Sequence, residues 1–148
     1  DIVKKLVKAD VILFSTPVYF YTMNGQMKVF IDRCVQKYTK IHADIYIFVS
    51  GGDTEKSHLK LAVESIRGLT RDCFEGCEEK GCIISSGVTE MGDVSNKEVM
   101  TEAFYMGKNV FCIAGLLDRK DRTAMKAFSN LIIAHNTFQR RKLPKRSQ

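Results

Sequence analysis

Apolar positions along the chain follow two periods. Three short, nearly continuous apolar runs rich in β-branched or aromatic residues, Val11 to Phe14, Ile45 to Val49 and Cys82 to Ile84, are bounded by breakers. That pattern predicts buried parallel strands. Between and after them, apolar residues recur at three- and four-residue steps, the spacing of one helix face. Met27, Phe30, Ile31, Cys34, Val35 and Tyr38 form one such stripe behind Asn24, a candidate cap. Leu59, Ala62, Val63, Ile66, Leu69 and Cys73 form a second, behind Asp53 and Thr54, either of which would supply its cap. A third helix is predicted from the capping box Ser95-Asn96-Lys97-Glu98, burying Val99, Ala103, Phe104 and Val110. A fourth is predicted from Arg122 to Gln139, with Met125, Phe128, Ile132 and His135 on one side.

Strand and helix alternate, and breakers fill the junctions. Such a chain folds as an α/β domain, a parallel sheet with helices on both faces. Ligands of open sheets of this kind bind beyond the carboxyl ends of the strands. The loops expected there are Ser15 to Asn24 after the first strand, Ser50 to Thr54 after the second and Ser85 to Asp93 after the third.

The first of these loops carries Tyr19-Phe20-Tyr21, an aromatic run where polar turn residues are the rule. Pro17 fixes its own φ and holds Thr16 extended, so the chain is expected to leave the strand rigidly, with the N–H groups of Val18 to Tyr21 presented to a ligand edge. Flat rings with few rotors suit stacking on a planar heteroaromatic group. They equally suit covering a sheet edge or forming a subunit contact. In the second loop, Gly51 and Gly52 permit close approach of the backbone to a ligand, and the helix behind them presents its N-terminal N–H groups to an anion or an electron-rich carbonyl.

Composition narrows the class. At 148 residues and 45% hydrophobic, the chain can bury an ordinary single core. We expect one domain over 1–139 and a basic tail over 140–148. The longest apolar run, Val110 to Leu117, is far short of the ~20 residues that cross a bilayer. No membrane partner and no secretory signal are therefore expected. Five cysteines, an odd number and widely spread, point to free thiols in a reducing cytoplasm. Cys73, Cys77 and Cys82 lack a fourth ligand, and the first two stand four apart on an expected helix, so packing is preferred to a metal site. The net charge of +6 gathers in the tail Arg140 to Arg146, a run that reads as a solvated end, with no motif for nucleic-acid recognition beside it. No nucleophile, metal-ligand, Walker or dinucleotide motif is present. His58, near the start of its helix, is the one histidine singled out, although no catalytic side chain is assigned. Redox chemistry would have to come from a bound cofactor.

Ala9-Asp10-Val11-Ile12-Leu13-Phe14-Ser15-Thr16-Pro17-Val18-Tyr19-Phe20, with Met23-Asn24-Gly25-Gln26-Met27-Lys28-Val29-Phe30-Ile31-Asp32-Arg33, closely resembles the signature of flavodoxin-like NAD(P)H-dependent FMN reductases. These include quinone reductases of the tryptophan-repressor-binding-protein type and the iron-sulfur flavoproteins. Val49 to Asp53 resembles the second flavin loop of that family, and Met91 to Val94 with Ala103 to Lys108 its last loop and helix. The resemblance runs from Ile2 to Asn109. It implies a three-layer flavodoxin-like fold and an FMN ring held by Thr16, Pro17, Val18, Tyr19, Phe20, Ser50, Gly51, Gly52 and Asp53. The implied reaction passes hydride from NAD(P)H through the flavin to a quinone, free flavin or similar small-molecule acceptor, in a cytoplasmic homo-oligomer.

The family's phosphate-binding loop and first two strands have no counterpart here, and Asp1 to Lys8 resembles the tail of the helix before the third family strand. Without those strands, Val11 to Phe14 would be an open sheet edge, and weak FMN binding is expected. The competing reading is a flavodoxin-like binding or regulatory module without flavin.

Overall fold

In a computed structural model describing residues 2–95 and 98–113, the last three as backbone, the apolar runs pair side by side. The elements follow in the order α1 (Ile2–Leu6), β1 (Val11–Tyr19), β2 (Thr22–Met23), α2 (Gly25–Arg33), β3 (Asp44–Ser50), α3 (Lys56–Thr70), β4 (Glu78–Ser85) and α4 (Glu98–Ile113). The sheet order is β2-β1-β3-β4. β1, β3 and β4 are parallel, in a register that aligns Phe14 with Ile47 and Ile47 with Cys82. Opposite β3, Ile45 pairs with Glu79 and Tyr46 with Gly81, so Lys80 is an extra residue and β4 bulges there.

Two apolar layers cover the sheet. On one face Ile12, Phe14, Ile45, Ile47 and Val49 pack with Leu59, Ala62, Val63 and Ile66 of α3, and Met27 and Phe30 of α2 close over them. On the other, Phe48 and Ile83 pack with Val88, Val94 and the α4 residues Val99 and Ala103. The sandwich of helix, sheet and helix is thus the expected three-layer α/β arrangement. Period two in the strands sends alternate side chains to the two layers, and period 3.6 gives each helix a single buried stripe.

The first strand is longer than its apolar run. It continues through Ser15, Thr16, Pro17 and Val18 to Tyr19, so most of the expected loop is strand. A proline is tolerated there because β1 is an edge strand over Val11 to Pro17, with no partner on its outer side among the described residues. Beyond Pro17 the chain reverses. Val18 pairs with Met23 and Tyr19 with Thr22, leaving Phe20 and Tyr21 as a two-residue hairpin tip.

Asn24 caps α2 as expected, its side chain accepting from the Met27 N–H at 2.8 Å. The helix ends at Arg33, however, and two short 3₁₀ turns follow, over Cys34–Gln36 and Tyr38–Lys40. The change of period turns Val35 and Tyr38 out to solvent, whereas Cys34 stays buried. On α3 the stripe Leu59, Ala62, Val63 and Ile66 is buried as predicted. The helix stops at Thr70, so Cys73 lies beyond it and is exposed. In α4, Val99, Ala103 and Val110 are buried, but Phe104 turns out to be 40% exposed. The residues between its expected cap and Glu98, the helix predicted over Arg122 to Gln139 and the tail over 140–148 lie outside the described residues. No helix among the described residues is long and apolar enough to cross a membrane.

Candidate functional site

The carboxyl ends of β1 and β3 converge as predicted, and the space between them is an open cavity of about 180 Å³. It is lined by Val18, Phe20 and Tyr21 from the β1–β2 hairpin, by Gly51, Gly52 and Asp53 after β3, and by His58 and Leu59 from α3. β2 packs directly on α3, which carries the hairpin tip to the start of that helix.

The hairpin tip is strained. Phe20 and Tyr21 have φ of +48° and +70°. Two-residue hairpins with positive φ at both central positions favour Asn-Gly or Asp-Gly, because a Cβ there crowds the backbone. Two aromatic residues are the opposite choice. Phe20 is 98% exposed, so its ring gains nothing from packing among the described residues. Tyr21 is about half exposed and meets the His58 ring edge-on, with centroids 5.6 Å apart.

The glycine loop is held by the loop after β4. Gly51 N–H donates to Ser85 O at 3.0 Å, Val88 N–H to Gly51 O at 3.0 Å, and Gly87 N–H to Asp53 O at 2.7 Å. A Cβ on Gly51 would sit 3.2 Å from Leu59 Cδ2, and one on Gly52 would reach 2.8 Å from Thr89 Cγ2. Thr89 cannot easily yield, since its N–H donates to Asp93 at 2.9 Å and its hydroxyl to the same oxygen at 3.3 Å. Gly52 is therefore required by close packing between loops, and Gly51 sits tightly against Leu59 of α3.

Asp53 is the charged centre of the site. Its Oδ1 accepts from the Glu55 N–H at 2.9 Å and its Oδ2 lies 2.7 Å from His58 Nδ1. The Glu55 N–H first, then the imidazole, hold its carboxyl below the usual range. Glu55, and neither Asp53 nor Thr54, occupies the cap position of α3, without a side-chain cap bond. Asp53 satisfies that orphan N–H from outside the cap.

Of the nine residues expected at a cofactor site, Val18, Phe20, Gly51, Gly52 and Asp53 line the cavity. Tyr19 is exposed but not among its lining residues. Thr16 and Pro17 are buried in β1, and the Thr16 hydroxyl is occupied, accepting from Asn24 N–H at 3.1 Å and donating to Pro17 O at 3.0 Å. Ser50 is buried under the loop, its hydroxyl without a partner among the described residues. Three lining residues were not among the nine. Tyr21 stood in the aromatic run, His58 stood five residues after Asp53, and Leu59 read only as helix core. The signal for the first two was present in spacing, but their meeting depends on β2 lying against α3.

The cysteines are elsewhere. Cys77 donates to Ile41 O and accepts from Ala43 N–H, both at 3.3 Å, and burial pushes the Cys82 thiol up to about 11. Among the described residues no group of His, Cys, Asp or Glu could hold a metal ion.

The NADPH-dependent FMN reductase family model matches residues 1–69, which include the hairpin and the glycine loop. Those residues, a little under half of the chain, are similar to the FMN reductase family. Among proteins of known sequence, this chain is 25% identical over 104 residues to YwqN of Bacillus subtilis (strain 168), provisionally named an NAD(P)H-dependent FMN-containing oxidoreductase. The match covers 64% of this chain and 56% of YwqN, so the chain spans little more than half the length of that relative. Among solved structures, the fold described above is similar to that of the Trp repressor binding protein from Bacillus subtilis. The TM-score is 0.55 at 22% identity, covering 81% of this chain and 76% of that one. That likeness supports the fold.

Proposed function

We propose that the chain is an FMN-dependent oxidoreductase that takes hydride from NAD(P)H and passes it to a quinone, free flavin or similar small acceptor. The observation that carries this reading is the hairpin tip. Phe20 and Tyr21 hold positive φ, and the Phe20 ring stands almost fully in solvent beside a glycine loop that is closely packed against its neighbours. Backbone strain at an exposed aromatic residue is retained where a ligand, rather than the chain itself, uses the ring.

The residues present fit the ring end of FMN. Phe20 and Tyr21 offer flat faces, Val18 and Leu59 an apolar wall, and Gly51 and Gly52 a surface without side chains. When bound, the flavin would supply two-electron chemistry that no side chain here supplies. The chain's own part is to hold the ring against the hairpin, keep water off one face and aim the N–H groups at the start of α3 toward an electron-rich edge. The apolar side chains Val29 and Leu61, both more than half exposed on α2 and α3, support a homo-oligomer in this reading.

Titration of FMN with the protein, followed by quenching of flavin fluorescence, tests the cofactor. Anaerobic bleaching of the bound flavin by NADPH, and its return on adding a quinone, tests the reaction. Absence of quenching at tens of micromolar protein would overturn the reading.

A further inference from the structure

His58 is ordered by its neighbours in a way that leaves one nitrogen available. Nδ1 lies 2.7 Å from Asp53 Oδ2, and the ring meets Tyr21 edge-on. An ionised carboxylate only accepts, so the hydrogen between the two groups belongs to Nδ1. In the neutral imidazole Nε2 is then the bare nitrogen, and in the protonated imidazole it is a donor. No partner for Nε2 is found among the described residues. The ring lines the same cavity as Phe20 and Gly52. A carboxylate that fixes the tautomer and orientation of a histidine whose other nitrogen faces a ligand site is the arrangement of a proton-transfer group.

We propose that His58, oriented by Asp53, is the residue that protonates the reduced acceptor. The proposal rests on the oxidoreductase reading above. With a quinone as the acceptor, the hydride of NAD(P)H, two electrons and one proton, would give the singly protonated hydroquinone, its other oxygen an oxyanion. The Nε2–H bond of the imidazolium breaks, an O–H bond forms on that oxyanion, and the neutral ring recovers its proton from water. Electrons and protons then balance as quinone, hydride and one proton giving hydroquinone. Asp53 is a positioning residue in this scheme, while His58 touches the reacting atom. Tyr21 packs against the ring and limits its rotation about χ2.

Two measurements test this on the full chain. The first needs no cofactor: long-range ¹H–¹⁵N correlation of the imidazole nitrogens reports the tautomer. When its ring is neutral, His58 is expected as the Nδ1–H tautomer, shifting toward Nε2–H in Asp53→Ala, and a neutral wild-type ring in the Nε2–H form would overturn the positioning. The second compares menadione, which must be protonated, with ferricyanide, which takes single electrons and no proton, as oxidants of the NADPH-reduced protein. His58→Gln is expected to lower the ratio of menadione to ferricyanide rates about 100-fold, the usual scale for loss of a general acid. An unchanged ratio would overturn the proton role even if both rates fell. Failure of NADPH to reduce the wild-type protein would instead overturn the oxidoreductase reading itself, and this proposal with it.

Discussion

Phe20 and Tyr21 are the residues where stability and binding pull in opposite directions. Each holds a left-handed backbone conformation that costs about 1 kcal/mol for a residue with a Cβ. Replacing the pair by Asn-Gly, Phe20→Asn with Tyr21→Gly, gives the turn the residues its geometry favours. The double variant is expected to be more stable by about 1 kcal/mol, seen as a rise of a few degrees in Tm, while its affinity for FMN falls at least tenfold by fluorescence titration. Asp53 carries a pH signature. Its carboxyl is held below the ordinary value by the Glu55 N–H and His58, so the folded state favours the ionised form. The stabilisation is complete above the unfolded-state pKa of about 3.9 and disappears as pH falls through the lower folded value. Thermal unfolding from pH 7 to pH 2 should therefore show wild type and Asp53→Ala converging only in acid.

At the scale of elements, the same helix serves the core and the site through different faces. Ile66 is fully buried against the sheet from α3, and Ile66→Ala is expected to cost about 3 kcal/mol in urea unfolding, the usual loss for such a cavity. Arg67, on the next position, clips α3 to β4 by a forked contact with Glu79 at 2.7 and 2.5 Å. Gly52→Ala should behave otherwise. Its Cβ would press on Thr89, pinned by Asp93, so the loop after β4 must move. Flavin affinity is expected to drop several-fold with a Tm change of only a few degrees. Helix faces were legible in the sequence because burial repeats every 3.6 residues, and Leu59, Ala62, Val63 and Ile66 obey it. Val35 and Tyr38 were misread because the chain tightens to 3₁₀ geometry after Arg33, a change that apolar spacing does not encode.

For the molecule as a whole, the question is what meets its exposed apolar side chains. Val29 and Leu61 are 63% and 54% exposed, and Phe20 stands out beyond the hairpin. We expect self-association through this side of the molecule, read as a concentration-dependent sedimentation coefficient. Val29→Lys with Leu61→Lys should return the chain to a monomer with little change in Tm, since both positions are on the surface. A wild-type mass that stays that of the monomer at every concentration would remove the homo-oligomer. The outer edge of β1 adds a second exposure, because backbone groups from Val11 to Pro17 have no strand partner on that side among the described residues.

Local chemistry determined much of this protein. Apolar runs marked where β1, β3 and β4 lie, helical spacing marked the buried stripe of α3, and Asn24 marked the start of α2. Each of these depends on neighbours within a few residues, which is what a linear pattern records. Tertiary structure alone decided how far β1 extends, since Ser15 to Pro17 are strand only because β3 offers them hydrogen bonds. It also decided that Val18, Phe20, Gly51, Gly52 and Asp53 share a cavity from which Thr16, Pro17, Tyr19 and Ser50 are absent. The contact of Tyr21 with the His58 imidazole, itself paired locally with Asp53, arises where a hairpin packs on a helix start 37 residues along the chain. No sequence period spans such a distance; only packing brings those groups together.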